Sequence, residues 1–285
     1  MTNQDHSLAT NLYSKDTRFV YELIQNAEDN RYTLATREGQ QPFLRFHLYP
    51  DRIILESNED GFTKENVKAI CSTGESTKST TEGYIGEKGI GFKSVFKVAK
   101  RVHVQSGHFS FVFEYTRDSD DDGLGMVTPL DGEYEELETH VRTRITLTLL
   151  EPKKFASLVE EFLAIPESLL LFLTRLTTLE VTVHREGSDP ETIGYRHEKM
   201  NGGEKSRIIK TATGRMQVMK DFYVQKNVIK CLPYDRAREF TNKAEIVLAF
   251  PVDHNNTPVL ESQYTYAYLP IRKVGFNVRN NPYIL

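Results

Sequence analysis

The stretch Gly86-Glu87-Lys88-Gly89-Ile90-Gly91-Phe92-Lys93-Ser94 decides how this sequence is read. Its glycines let the backbone turn tightly and bring N–H groups against a ligand. The segment that follows is apolar and helix-like, and a helix start adds unsatisfied donors and a partial positive charge. Such a terminus is an anion site, and phosphate is its usual occupant. Two familiar phosphate-binding patterns do not fit. Phe92 intrudes between Gly91 and Lys93 of a G-x-x-x-x-G-K-S pattern, and Ser79-Thr80-Thr81-Glu82-Gly83 cannot form the buried strand that a P-loop follows. The dinucleotide fingerprint lacks its third glycine and its leading strand.

Upstream, Asp16 to Thr36 reads as one helix, with Phe19, Val20, Leu23, Ile24 and Ala27 on its apolar stripe. Glu22 and Asn26 lie four residues apart and project from one face, flanking that stripe. A carboxylate there can orient and deprotonate a water, and an amide oxygen can ligate a hard cation such as magnesium. A solvated helix edge has the same pattern, so the pair gains meaning only beside a ligand site. Phe43–Leu48 and Arg52–Glu56 read as a hairpin, Thr63–Cys71 as a short helix, and Ser72–Gly83 as a polar loop. Phe92–Ala99 continues helically, before strands at Arg101–Gln105, Phe109–Tyr115 and Val141–Leu149. Phe155–Leu176 is helical with a break at Pro166, and Leu179–His184 returns as a strand. Asp118-Ser119-Asp120-Asp121-Asp122-Gly123 lacks the glycine and glutamate spacing of a calcium loop and reads as solvated surface.

The 285 residues are 39% hydrophobic and 27% charged with formal net charge -4, a balance that gives no support to a nucleic-acid footprint. The most apolar run, Leu169–Leu173, is too short to span a bilayer. Cys71 and Cys231 are far apart without a Cys-x-x-Cys partner, which argues against a disulfide framework or zinc site and for an intracellular setting, cytoplasm or nucleus. The order of elements is α+β rather than a regular βαβ alternation. Residues 186–205 are polar and rich in breakers and read as a linker. They divide residues 1–185 from a partial β-rich unit over 206–285, with strands at Gln217–Val224, Glu245–Val252, Tyr264–Leu269 and Gly275–Val278.

Several of these stretches together carry a resemblance. Glu22-Leu23-Ile24-Gln25-Asn26-Ala27-Glu28-Asp29 resembles the first motif of the GHKL ATPases, and Ile85–Ser94 their glycine-rich motif. Thr143-Arg144-Ile145-Thr146-Leu147 is similar to their late threonine-bearing strand. Leu12–Asp16, Glu59-Asp60-Gly61-Phe62-Thr63 and Tyr84–Phe96 resemble the sacsin and NO VEIN-like branch in particular.

The resemblance implies a Bergerat-type two-layer α/β sandwich, with an antiparallel mixed sheet and helices on one face. It implies ATP and magnesium as ligands, with Glu22 as general base and Asn26 on the metal. Gly86, Gly89, Ile90, Gly91 and Phe92 would close on the phosphates, Ser72–Gly83 would be a lid, and Lys78 would approach the terminal phosphate. Thr143 would join the adenine-side hydrogen bonds. The family's adenine motif, Asp-x-Gly-x-Gly, is altered to Ser57-Asn58-Glu59-Asp60-Gly61-Phe62. Asn58 is the candidate acceptor for the adenine amine, Asp60 the alternative, and Gly61 the retained glycine.

Two functions follow. One is slow, magnesium-dependent ATP hydrolysis in a chaperone-like or regulatory protein, with a protein client or parent-protein domains as partners and a nucleotide-dependent dimer as an option. The other is an interaction module whose nucleotide pocket is vestigial or structural.

Overall fold

A computed structural model describes residues 18–72, 92, 94–114, 129–230, 243–261, 263–267 and 269–274. The glycines of the Gly86–Gly91 run, Ile90, Lys78 and the expected lid from residue 73 onward lie outside the described residues. So do the acidic stretch 118–123 and the expected strand 275–278.

The first helix, α1 (Arg18–Asp29), ends earlier than its periodicity predicts, and a separate short helix, α2 (Thr33–Arg37), follows. The break has a local cause. The Tyr32 phenol donates to Ala27 O at 2.9 Å, satisfying a last-turn carbonyl that a continuing helix would have used. Asp60 N–H donates to Arg31 O at 2.8 Å, pinning the connection to a distant turn. The hairpin β1 (Phe43–Leu48) and β2 (Arg52–Ser57) forms as expected, with Phe46 opposite Leu55. Helix α3 (Lys64–Ser72) opens on a reciprocal cap. Thr63 N–H donates to Asn66 Oδ1 at 2.8 Å, and Asn66 N–H to Thr63 Oγ1 at 3.3 Å.

Beyond α3, within the expected helix 92–99, Phe92 is helical, Ser94–Lys97 form a 3₁₀ turn, and Ala99 already begins a strand. Strands β3 (Ala99–Ser106), β4 (Phe109–Glu114), β5 (Leu130–Asp131) and β6 (Thr143–Leu149) follow. Helix α4 (Phe155–Leu163), a 3₁₀ segment at Glu167–Phe172 and β7 (Thr178–Val183) complete the first part. The remaining strands are β8 (Glu191–Met200), β9 (Lys205–Ala212), β10 (Arg215–Lys230), β11 (Lys243–Val252), β12 (Gln263–Ala267) and β13 (Leu269–Val274).

Eleven of these strands make one mixed sheet in the order β11-β10-β9-β8-β7-β1-β2-β6-β3-β4-β5, and β12 and β13 pair separately. Residues 191–200, within the span read as a linker, form β8, which pairs antiparallel with both β7 and β9. Its pattern was hidden because a histidine stands where a strand usually shows an aliphatic residue: Tyr195 and His197 are both buried.

Along β1, β2, β6 and β3, one face carries Leu44, Phe46, Ile53, Leu55, Leu147 and Val104, all buried. The helices pack on this face: Phe162 of α4 meets Phe46 and Phe19 of α1 edge-on, with ring centroids 4.9 Å and 6.2 Å apart. Cys71 packs partly buried against the same core, as a small apolar side chain does. The protein is thus α+β with a large mixed sheet and few helices. Among the described residues no helix is long and apolar enough to cross a membrane.

Candidate functional site

The apolar periodicity of the core face stops at one end of three neighbouring strands. β2 ends on Ser57, β6 begins on Thr143 and β3 ends on Ser106, each in the position where an aliphatic side chain would continue the core. The three stand in register, Ser57 opposite Thr143 and Thr143 opposite Ser106, and all are buried. Ser106 Oγ and Thr143 Oγ1 are 2.5 Å apart, and Ser106 Oγ accepts from Phe62 N–H at 2.8 Å. Tyr32 OH lies 3.3 Å from Ser57 Oγ. Because the same phenol holds Ala27 O, this row of hydroxyls is tied to the end of α1, the helix that carries Glu22 and Asn26. Both of those residues are half-buried. α1 also packs against the 3₁₀ turn Ser94–Lys97 that directly follows the glycine run.

The turn after β2 crosses this row. Gly61 has φ +90°, a left-handed conformation that favours glycine, and a Cβ there would lie 3.6 Å from Gly107 N. The three residues before it divide the labour differently from the sequence expectation. Asn58 is fully buried, and both ends of its amide hold backbone: Oδ1 accepts from Phe43 N–H at 2.9 Å, and Nδ2 donates to Gln41 O at 2.9 Å. It anchors the start of β1. Asp60 Oδ1 accepts from Leu34 N–H at 2.8 Å and serves as a remote cap for α2. Its slight burial works against the charge, but hydrogen bonds from the Leu34 N–H and from Thr33 hold its pKa below the usual carboxylate value. Both candidate acceptors are therefore committed to the fold.

Glu59, between them, keeps one oxygen unclaimed among the described residues. It is 3% exposed, and its Oε1 is buried without a hydrogen-bond partner among the described residues. Burial pushes its pKa up to about 7, hydrogen bonding to the Thr143 and Asn30 side chains pulls it down, and neighbouring Asp60 pushes it up. An orphaned oxygen on a buried carboxylate is costly, and a donor that reaches it is favoured. The sequence reading passed over Glu59. Its signal was available: a strand ending in Ser57, then an acidic residue flanked by two residues with turn-forming roles.

Of the remaining candidates, Thr143 lies in the hydroxyl row. The Phe92 ring is buried edge-on against Phe96 and Phe113, with centroids 6.5 Å and 6.4 Å away. Gly86, Gly89, Ile90, Gly91 and Lys78 fall outside the described residues. No group of three His, Cys, Asp or Glu side chains able to hold a metal occurs among the described residues.

Comparison with known proteins adds the lineage. Residues 9–118, which include α1, Ser57, Glu59 and Ser106, match the family model of the Sacsin domain. The relationship runs further along the chain. Over 291 aligned residues, 94% of this chain, it is 31% identical to Protein NO VEIN of Arabidopsis thaliana, of which it covers 10%. Over 119 residues, 35% of the chain, it is 33% identical to the mitochondrial Heat shock protein 75 kDa of Rattus norvegicus, covering 17% of that protein. The chain thus spans a small part of the relatives it matches.

Proposed function

We propose that the hydroxyl row and α1 form the two sides of an ATP site of the GHKL type. The observation that carries the reading is Glu59 Oε1, which has no hydrogen-bond partner among the described residues, at the end of that row. An ionised carboxylate is acceptor-only, and the exocyclic amine of adenine supplies the donor it lacks. Glu22 and Asn26, one turn apart on α1, then lie on the phosphate side, with Glu22 positioning and deprotonating the attacking water and Asn26 as the magnesium ligand. A magnesium ion bound there would neutralise charge developing on the phosphates. Gly86, Gly89 and Gly91, with the backbone at Ile90 and Phe92 and the Lys78 ammonium, supply the remaining phosphate contacts in this reading. Slow hydrolysis of ATP would drive closure in a chaperone-like or regulatory protein. The matches to the Sacsin domain and to a heat shock protein support that setting.

The second reading, a module with a vestigial pocket, draws on the structural employment of Asn58 and Asp60. Calorimetric titration with ATP, with and without magnesium, separates the two. Under the ATPase reading the wild type binds, Glu22→Ala binds but turns over about 10²–10⁴-fold more slowly, and Asn26→Ala loses the magnesium dependence. A wild type that binds no nucleotide leaves the module reading.

A further inference from the structure

We propose that Glu28 is a positioning residue for the phosphate side of the site: its carboxylate ties the end of α1 to the seam that also holds the turn after β2, and so sets the spacing between the two sides of the pocket. The inference rests on the nucleotide reading above. It starts from a residue that is locally misplaced. Glu28 lies in the last turn of α1, a turn that has no basic residue. A carboxylate there faces the negative end of the helix dipole, so local preference does not account for it. A tertiary partner does.

That partner is a bend at Thr174 and Arg175, between the 3₁₀ segment Glu167–Phe172 and β7. Three successive backbone N–H groups converge there on the one carboxylate. Glu28 Oε1 accepts from Thr174 N–H at 2.7 Å and from Arg175 N–H at 3.0 Å, and Oε2 accepts from Leu176 N–H at 3.0 Å. The Thr174 hydroxyl also donates to Oε1, at 2.6 Å. Successive amides arranged in this way form an anion receptor, and hydrogen bonds to an ionised acceptor are the stronger kind. The contact is returned. Arg175 Nη1 donates to Glu28 O at 2.8 Å, which sets a cation on a helix end that has none of its own.

The bend stands on the same seam as the turn after β2. Leu173 and Leu176, on either side of it, are buried. Next in the chain, Thr177 N–H and Thr178 N–H donate to Pro42 O at 3.2 Å and 3.1 Å, where β7 meets β1. Asn58 holds the residues on both sides of Pro42, accepting from Phe43 N–H and donating to Gln41 O. Glu28 and Asn58 are thus joined through one seam. The first carries α1, with Asn26 two residues before it; the second carries the turn that leads to Gly61. Releasing Glu28 removes the tie to α1 and leaves the tie to the turn intact.

The experiment uses the whole chain. Glu28→Gln keeps the length of the side chain but turns one acceptor oxygen into an NH2 that meets backbone donors. Thr174→Val removes only the hydroxyl donor, and thermal melts confirm that each variant folds. Amide exchange followed by NMR without nucleotide reads the bend: Thr174, Arg175 and Leu176 should be protected in wild type and lose protection in Glu28→Gln. Magnesium-ATP hydrolysis reads the phosphate side, and binding of adenosine reads the base side alone. Glu28→Gln should lower kcat about 10-fold to 100-fold and raise the magnesium concentration needed, with adenosine affinity within about 2-fold of wild type. Thr174→Val should lower kcat about 2-fold to 5-fold. Amides that stay protected in Glu28→Gln overturn the tie. Unchanged kcat and magnesium dependence in a variant whose amides have lost protection overturn the positioning role. Adenosine binding lost in step with turnover also overturns it, because that is general loosening. A wild type that binds no nucleotide overturns the nucleotide reading, and the positioning role falls with it, whatever the exchange at the bend shows.

Discussion

The carboxylate of Asp60 and the backbone N–H of Leu34 meet at 2.8 Å across 26 residues of sequence. Helix α2 has no side-chain cap of its own at Tyr32, so the turn after β2 supplies one. The contact locks the Gly61 turn to the α1–α2 connection and so fixes where Glu59 sits.

That contact predicts a stability effect at Asp60. Asp60→Ala should destabilise the protein by about 1 kcal/mol, the usual worth of such a cap, and Asp60→Asn by less. Denaturant melts at pH 7 read the difference. Equal loss in the two variants would mean that the charge, not the cap, is what counts.

Glu59 makes the free protein prefer mild acid. Its pKa is raised from 4.5 to about 7 by burial, so the native state binds its proton more tightly than the unfolded chain does. The stability it contributes is fully present below about pH 4.5 and is lost as pH rises through about 7. At pH 8 the ionised side chain costs up to about 3 kcal/mol, and Glu59→Gln should recover a large part of it without nucleotide. Melting temperatures of the two proteins at pH 5.5 and pH 8 test this; a constant difference between them counts against it.

His197 has the opposite sign. Burial in β8, with Lys199 adding to it, lowers its pKa from 6.5 to about 4, and its Nε2 lies 2.9 Å from Ser206 Oγ. Its contribution is present above pH 6.5 and is lost as pH falls through about 4. His197→Gln should flatten the acid limb of the stability profile. An unchanged limb would assign acid unfolding to other groups.

On the face away from the helices, Glu56 is almost completely buried and accepts from Arg144 Nε at 2.7 Å. Burial favours its neutral form, but hydrogen bonds from His47 and Arg144 outweigh that and lower its pKa. Removing one partner strands a buried charge, so Arg144→Met should cost about 3–5 kcal/mol. Adding Glu56→Leu should restore most of it. A double variant no better than the single would show that the pair contributes through packing alone.

The fold was legible where burial follows a simple period. β1 and β2 alternate cleanly, and α1 shows its stripe. Less legible was β8, whose buried His197 and charged neighbours read as a linker, and the early end of α1, which depends on Tyr32 reaching back to Ala27. At the site, Thr143 was chosen by resemblance to a threonine-bearing strand, and it stands in the hydroxyl row. Asn58 and Asp60 were chosen for their chemistry, but backbone groups far away in sequence claim both. No local pattern announces those partners. Glu59 was missed for the same reason: its value lies in an Oε1 with no partner among the described residues, which only the assembled turn reveals.

The seam between β1 and β7 bears on how the chain is made. It is the one parallel pair among the described strands, joining Phe43 to Thr178, and antiparallel hairpins can zip locally while this pair cannot. The Arg45–Glu180 ion pair across it spans 135 residues of sequence. On a ribosome, the hairpin β1–β2 emerges long before its central neighbour, and its edge must wait unpaired until β7 follows. Contacts of that separation slow folding and leave strand edges open to wrong partners in the interval. Truncations ending before β7 should therefore yield an aggregating product rather than a smaller folded domain, even though every residue of the hydroxyl row would already be present.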